Sequence, residues 1–276
     1  MNTLSPSEKK PVTTLDIRRF VEENDDFGFE MKVAAEIKNT LPVDVFHGAT
    51  YADPITEKPR QFDLRFRVKN DRKTLYFAVE CKNIDLANPV VICGRIAESK
   101  ENFHDIIVSR GMRNIAAASI QKATGRLYRS GEFVGKSVLK RDSRGRSNDS
   151  EIYDRWSQAL ASAHDLVEEA SKIGSGLDTS NFGAVFPWIV VPDGALWAAN
   201  YDGSGRLTED PKPSNRCRYF VGHNCAIKGR SEQVCLSHVE FLTFQGLKDM
   251  LFELRLNEID WDTWIPQKNR DLYRGE

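Results

Sequence analysis

Two neighbouring stretches of the chain hold carboxylates and an amine at a spacing that suits chemistry on a phosphate. Asp63 lies in segment 61–68, where apolar and polar residues alternate strictly, and Glu80 and Lys82 close segment 74–82. Such segments predict β-strands, and the short polar turn between them predicts an antiparallel hairpin. Glu80 and Lys82 are two residues apart, so they share one face of their strand. Counting back from the turn brings Asp63 near Glu80, so we expect both carboxylates and the ammonium at one site.

A helix before the hairpin supplies a further acid. Its apolar face is formed by Val33, Ala34 and Ile37. Glu30 falls on that face by helical spacing, whereas Glu36 falls on the opposite side. An acid on the core-facing side of a helix is costly unless it is paired or bound to a metal. We therefore expect Glu30 to point toward the same site.

Carboxylate oxygens with open coordination positions suit Mg²⁺, or Mn²⁺ in its place. Such an ion polarises a phosphodiester and lowers the pKa of a bound water, and Lys82 is placed to orient that water or to stabilise charge on the phosphorane. These residues therefore predict metal-dependent hydrolysis of phosphodiester bonds.

A purely structural interpretation stands against this one. Glu80 and Lys82 are, in that interpretation, a solvent-facing ion pair of little consequence, and Asp63 pairs with Arg65 or Arg67. The structural interpretation does not explain why Glu30 lies on the core-facing side of its helix. We therefore favour the interpretation of these residues as a nuclease site.

The same residues resemble the motif of the PD-(D/E)XK phosphodiesterase superfamily, which includes many restriction endonucleases and resolvases. The resemblance rests on Gln61-Phe62-Asp63, on Val79-Glu80-Cys81-Lys82 and on Phe29-Glu30 of the preceding helix. Two positions depart from the usual pattern, because Phe62 replaces proline and Cys81 is an unusual middle residue. The resemblance implies a restriction-endonuclease-like core of helix, three strands, helix and strand over about residues 27–192. It also implies metal binding by the three acids and water activation by the lysine.

The order of predicted elements favours an α/β fold with a central mixed β-sheet flanked by helices. Besides the hairpin, we predict strands at 43–48, 184–191, 195–201 and 239–243, a further strand or a buried loop at 88–95, and helices at 15–22, 26–39, 112–129, 150–173 and 246–256. Residues 1–24 are assigned to a tail with a short helix, and residues 25–276 to one domain. The part at 193–276 is interpreted as a C-terminal elaboration of the motif core.

A basic segment offers a surface for a phosphate backbone. Between residues 110 and 146 there are ten basic residues and two acidic ones, although the net charge of the whole chain is −1. A solvated loop explains such a segment equally well. The residues that we predict to contact nucleic acid are Gln121, Arg126, Lys136, Lys140, Arg141 and Arg144.

Composition sets the remaining expectations. Hydrophobic residues make up 40% of the 276 residues and charged residues 29%, which is ordinary for a globular protein. Since there is neither a long apolar run nor a secretory signal, we expect a cytoplasmic protein with reduced cysteines. A C-terminal stretch is rich in cysteine and histidine, but it has no pair with CxxC spacing. Its residues are therefore interpreted as core residues and not as a zinc site: Cys217, His223, Cys225, Cys235 and His238.

The main prediction is thus a Mg²⁺- or Mn²⁺-dependent nuclease that acts on DNA, with a homodimer left open. The alternatives are a nucleic-acid-binding module on the same fold without cleavage activity, and a protein-interaction module whose acidic and basic faces bind a partner. Divalent-ion titration with DNA separates the first from the others. The salt dependence of binding separates the other two.

Overall fold

Most of the regular structure is β-strand, with two helices before the strands, one between them and two after them in the described ranges. The structure, a computed structural model, describes residues 11–112, 115–124, 127–140, 149–172, 180–255 and 261–265. The helices in these ranges are α1 (Thr14–Asn24), α2 (Asp26–Thr40), α3 (Asp149–Lys172), α4 (Phe244–Arg255) and α5 (Trp261–Trp264). The strands are β1 (Val45–His47), β2 (Thr50–Ala52), β3 (Pro59–Gln61), β4 (Leu64–Asn70), β5 (Lys73–Cys81), β6 (Val90–Ile96), β7 (Phe103–Met112), β8 (Ile115–Thr124), β9 (Phe133–Lys140), β10 (Ser180–Val191), β11 (Leu196–Asn200), β12 (Lys212–Pro213), β13 (Arg216–Ala226) and β14 (Gln233–Thr243).

Twelve of these strands form one mixed sheet, which confirms the predicted α/β class. The order along the sheet is β1-β4-β5-β10-β14-β13-β9-β6-β11-β12, and β7 and β8 extend from the first part of β10. The predicted hairpin of β4 and β5 is antiparallel, whereas β10 runs parallel to both β5 and β14. A small second sheet pairs β2 with β3.

Strand β5 is buried on both faces, as suits a central strand next to a parallel neighbour. Phe77 and Val79 pack into one hydrophobic cluster, together with residues of α2 and α4. Tyr76 and Ala78 pack into a second cluster, under α3. The face of β5 that carries Glu80 is therefore covered by α3, where the alternation in sequence had predicted a polar surface.

Helix α2 begins at a side-chain cap and packs on the sheet face opposite α3. Asp25 accepts hydrogen bonds from the backbone N–H groups of Phe27 and Gly28, both at 3.2 Å. Such a cap satisfies donors that the first helical turn leaves free. Val33 and Ile37 are fully buried, as the helical phase predicts.

Helix α3 is the longest helix of the described chain and agrees with the predicted helix at 150–173. Its apolar side packs on β5 and β10. A polar contact also ties it to the hairpin, because Arg65 donates to Asp165 Oδ2 at 2.6 Å and to Ser162 Oγ at 3.0 Å. This contact spans about one hundred residues of sequence, and it holds the hairpin under the helix.

The predicted helix at 112–129 is wrong, because β7 and β8 form an antiparallel hairpin there. The alanines of the segment favour a helix by only a fraction of a kcal/mol each. The hairpin pairs every residue from Phe103 to Met112 with one of β8, and it buries Ile106, Ile107 and Val108 of the first strand. Tertiary pairing therefore outweighs local preference, and Gln121 lies on a strand.

The part of the chain after residue 192 is interleaved with the predicted motif core. Strand β14 pairs with β10, and β13 pairs with β9, so one sheet contains strands from both parts. The sequence analysis assigned no element to β7, β9 or β13. None of the helices in the described ranges has the length and apolar content that a membrane-spanning helix needs.

Candidate active site

The two motif carboxylates lie opposite each other where the β4–β5 hairpin ends. The ladder finishes with Leu64 paired to Val79, so Asp63 and Glu80 are the next facing pair. Asp63 Oδ2 accepts a hydrogen bond of 2.7 Å from the backbone N–H of Cys81. Their strands alternate in phase, and both side chains belong to the face on which α3 lies. The hairpin register alone thus brings the two acids to one place.

Lys82 lies within reach of both acids. Its Nζ is 2.8 Å from Glu80 Oε1 and 3.8 Å from Asp63 Oδ2. Its side chain is 12% exposed and that of Asp63 is 16% exposed, while Glu80 is buried. The cluster of two carboxylates and an ammonium is therefore partly shielded from water but open on one side.

The arginines of the hairpin do not compete for Asp63. Arg65 pairs with Asp165 of α3, and Arg67 pairs with Glu169 of the same helix at 3.2 Å. The structural interpretation in which Asp63 pairs with one of these arginines is therefore wrong.

Glu30 of α2 also belongs to this cluster. Its Oε2 is 2.8 Å from Nε2 of His47 on β1. Its charge adds to the rise in the pKa of both Asp63 and Glu80, after the larger effect of burial. Glu36 instead accepts a hydrogen bond of 3.2 Å from Thr40 on its own helix.

Two further residues of the site escaped the sequence analysis. Asp26 Oδ2 lies 3.7 Å from Lys82 Nζ, and Asp26 Oδ1 accepts a 2.7 Å hydrogen bond from the backbone N–H of Asn83. In sequence, Asp26 is indistinguishable from an ordinary first-turn acid of a helix. His47 stands in a predicted strand, and only the fold shows that it faces Glu30.

Burial and mutual repulsion shift the titration of the cluster. Burial raises the pKa of Asp63 to about 6, although Lys82 and the Cys81 N–H oppose the shift. Burial and the charge of Asp63 raise the pKa of Glu80 to about 8. Burial alone would lower the pKa of Lys82, but the two acids outweigh it and raise that pKa above its usual value.

These pKa shifts indicate that the protein supplies too little positive charge to balance the carboxylates of the site. The carboxyl groups of Asp26, Glu30, Asp63 and Glu80 share one ammonium, and burial together with mutual repulsion raises the pKa of Asp63 and of Glu80. A divalent cation would supply the missing charge, and hard carboxylate oxygens are the donors that Mg²⁺ and Mn²⁺ prefer. The residues present therefore fit such an ion.

The predicted nucleic-acid contacts within the described ranges, Gln121, Lys136 and Lys140, do not gather around this cluster. Gln121 of β8 pairs with Ile106 of β7, and β7 pairs with the beginning of β10, whereas Glu80 pairs with Ile189 near the end of β10. Lys136 is on β9, where it forms an ion pair with Glu101 and lies over the ring of Phe220. Three strands separate β9 from β5, about 19 Å at the usual strand spacing.

Lys140 is the last residue of β9 and is partly buried. The other predicted contacts lie outside the described residues: Arg126, Arg141 and Arg144. Their part in binding therefore stays a prediction from sequence.

The fold and the site together define an α/β protein whose central hairpin ends in a carboxylate–lysine cluster. No family model, curated protein or solved structure matches the chain. The functional argument therefore rests on the residues themselves.

Proposed function

We propose that this protein is a metal-dependent nuclease that hydrolyses phosphodiester bonds, with DNA as its substrate. One observation carries the proposal: Asp63 and Glu80 face each other across the hairpin, and Lys82 Nζ lies within 3.8 Å of an oxygen of each. The resemblance to the PD-(D/E)XK superfamily supports the same function, because it rests on these three residues.

Asp63 and Glu80 would hold the metal ion, with Glu30 as a further acid. A bound divalent cation supplies Lewis-acid stabilisation to a phosphodiester that is attacked by water. Its contact with His47 holds the carboxyl group of Glu30 in place at the helix side of the site.

Lys82 contributes a positioned positive charge. Its raised pKa keeps the ammonium protonated at neutral pH. A fixed ammonium beside a scissile phosphate stabilises negative charge that develops during the attack, and it orients the water by hydrogen bonding. Asp26 is a positioning residue, because it contacts both Lys82 and the backbone that follows it.

The test is cleavage of plasmid DNA with Mg²⁺ or Mn²⁺, for the wild-type protein and for Lys82→Ala. We expect the substitution to reduce turnover at least a hundredfold and to leave DNA affinity within about twofold, because the ammonium acts on the transition state. Lys69→Ala is the matched control, since Lys69 is an exposed lysine on the neighbouring strand. DNA affinity is measured with Ca²⁺ in place of Mg²⁺.

A second variant separates the lysine from the metal ligands. Asp63→Asn should also lose turnover, but through weaker metal binding, so a high Mn²⁺ concentration should restore part of it. Lys82→Ala should resist this rescue. A wild-type protein that binds DNA but cuts it with no divalent ion contradicts the proposal and favours the non-cleaving binding module.

A further inference from the structure

Three metal-ligand side chains converge at a second place, between α3 and β13. His164 of α3 meets His223 and Cys225 of β13, and one ligand atom from each residue lies within 4.8 Å of the others. The ring centroids of the two histidines are 6.0 Å apart. None of these residues belongs to the carboxylate cluster.

The backbone on both sides fixes this arrangement. His223 and Cys225 are two residues apart on β13 and therefore share one face of the strand. The register of β13 with β14 shifts just before His223, between Phe220 and His223. On α3, Glu168 lies one turn after His164 and accepts a hydrogen bond of 2.5 Å from the backbone N–H of Lys228. The end of β13 is thus held against the helix.

One nitrogen atom of each histidine at this place is available to bind a ligand. His164 Nε2 is 3.0 Å from the backbone carbonyl oxygen of Ala226, to which it donates, so its Nδ1 carries the lone pair. This Nδ1 and the Nε2 of His223 are buried atoms without a hydrogen-bond partner in the described part of the chain. Buried polar atoms without partners are rare in native proteins. A backbone carbonyl that orients an imidazole is a usual feature around metal-binding histidines.

We propose that His164, His223 and Cys225 bind a zinc ion, with the fourth coordination position left for water. Two imidazoles and one thiolate are ligands that zinc accepts, whereas Mg²⁺ prefers the oxygens of the other site. Zinc bonds of about 2.0–2.3 Å in a tetrahedron separate the ligand atoms by about 3.3–3.8 Å. Small side-chain rotations therefore suffice to close the site. Cys225 binds as the thiolate, and its proton goes to solvent.

Such an ion would join α3 to the C-terminal half of the sheet. The same helix is already joined to the hairpin by Arg65, which contacts Ser162 and Asp165. The zinc ion would add a second link between α3 and the sheet, with three protein ligands and water at the fourth position. The sequence analysis missed the site because its histidine on α3 is about sixty residues away from the other two ligands.

The first test is zinc content by mass spectrometry, after incubation with zinc chloride and desalting. We expect about one zinc ion per wild-type chain and at least a tenfold loss in Cys225→Ala and His223→Ala. Cys217→Ala is the matched control, because Cys217 is a buried thiol of the same strand outside the cluster, and it should retain the ion. A wild-type chain without zinc, or a Cys225→Ala chain that retains it, overturns the proposal.

The second test uses cobalt and needs only folded wild-type protein. Metal-stripped protein titrated with Co²⁺ should develop a thiolate-to-cobalt charge-transfer band that saturates near one equivalent. Asp63→Asn should keep this band whether or not the protein cleaves DNA, so the two proposals fail independently. Absence of the band in the wild type contradicts a site at the cysteine, whatever the protein does to DNA.

Discussion

Glu80 is buried beside another carboxylate, and its protonation therefore affects stability. The folded protein holds a proton on Glu80 up to about pH 8, whereas an unfolded chain releases it near the usual value of 4.5. Between these values the folded state binds more protons than the unfolded state, so its stability falls as the pH rises. Asp63 acts in the same direction up to about pH 6.

We therefore expect Glu80→Gln to stabilise the metal-free protein at alkaline pH. Relative to the wild type, the gain should grow by on the order of 3 kcal/mol between pH 5 and pH 9. The measurement is urea unfolding in EDTA across this range, repeated with saturating Mg²⁺, which should remove the gain because the ionised acids then bind the ion. A gain that is independent of pH contradicts the raised pKa of Glu80.

Glu240 is a control for the prediction on Glu80, because its pKa is shifted in the opposite direction. Burial alone would raise its pKa, but Arg216 outweighs burial and the pKa of Glu240 is lowered. The two side chains form a bidentate pair with distances of 2.9 and 3.0 Å. Glu240→Gln should therefore destabilise the protein at pH 7 by about 3–5 kcal/mol, because it leaves a charge without its partner.

The phase of α2 leads to a second prediction at the residue scale. Glu30→Gln should weaken Mn²⁺ binding about tenfold or more, because it removes a negative charge next to both carboxylates. Glu36→Gln should leave the affinity unchanged, since Glu36 bonds to its own helix. Isothermal titration calorimetry with both variants checks this, and equal affinities would exclude Glu30 from the metal site.

At the scale of elements, the contact between α3 and the hairpin is a buried cation with several partners. Arg65 is 8% exposed, and it contacts Asp165, Ser162 and the ring of Phe62, whose centroid lies 4.1 Å away. Arg67 is two residues further along the same face, but its pair with α3 is half exposed. The two arginines thus offer a comparison between a buried and a solvated pair.

We expect Arg65→Met to lower the free energy of unfolding by about 2–3 kcal/mol, because it leaves the acid and the hydroxyl of α3 without their donor. Arg67→Met should change it by less than about 1 kcal/mol, as is usual for exposed pairs. Urea denaturation of both variants measures these changes in the free energy of unfolding. Equal losses would mean that burial does not set the strength of this contact.

The elements that sequence analysis predicted correctly are those with a strong local pattern. The strict alternation of segment 61–68 and the short polar turn before segment 74–82 indicated the β4–β5 hairpin, and counting from its turn placed Asp63 near Glu80. The helical periodicity after residue 150 indicated α3. The hairpin of β7 and β8 was missed because its second strand is rich in alanine, and its stability comes from pairing with a neighbour.

The contacts that join distant parts of the chain had no local signal. Asp26 reaches Lys82, and Arg65 reaches Asp165, across separations that a single sequence does not reveal. The position of the acids was therefore predictable from strand register, but the burial that shifts their pKa values was not. That burial depends on α3, which crosses the face that the alternating pattern had marked as polar.

At the scale of the whole molecule, charge is distributed unevenly. The net charge is only −1, but the chain has an acidic cluster at the end of the hairpin and a basic segment from residue 110 to residue 146. Among the basic residues of that segment in the described ranges, Arg110, Lys122, Lys136 and Lys140 lie on strands away from the acids. A nucleic acid bound at the acidic site would need basic contacts, because phosphate repels carboxylates that hold no metal ion.

Reversing charges in the basic segment tests whether it provides these contacts. We expect the triple substitution Lys140→Glu, Arg141→Glu and Arg144→Glu to weaken DNA binding about equally for all sequences, because phosphate contacts carry no sequence information. Each lost phosphate contact lowers the slope of log affinity against log salt by about 0.9, so the slope should fall by up to about 3. Fluorescence anisotropy in Ca²⁺ over a range of salt concentrations measures it.

The control places the same kind of reversal at the opposite end of the hairpin. Lys69 and Arg72 are exposed beside the β4–β5 turn, six to eight residues along the hairpin from the carboxylates. Lys69→Glu with Arg72→Glu should leave the salt slope unchanged, because the turn lies at the far end of the strands from the site. If the triple variant also keeps the wild-type slope, the basic segment is a solvated loop, and phosphate must contact another surface. If both variants lower it equally, binding follows overall charge and not a defined surface.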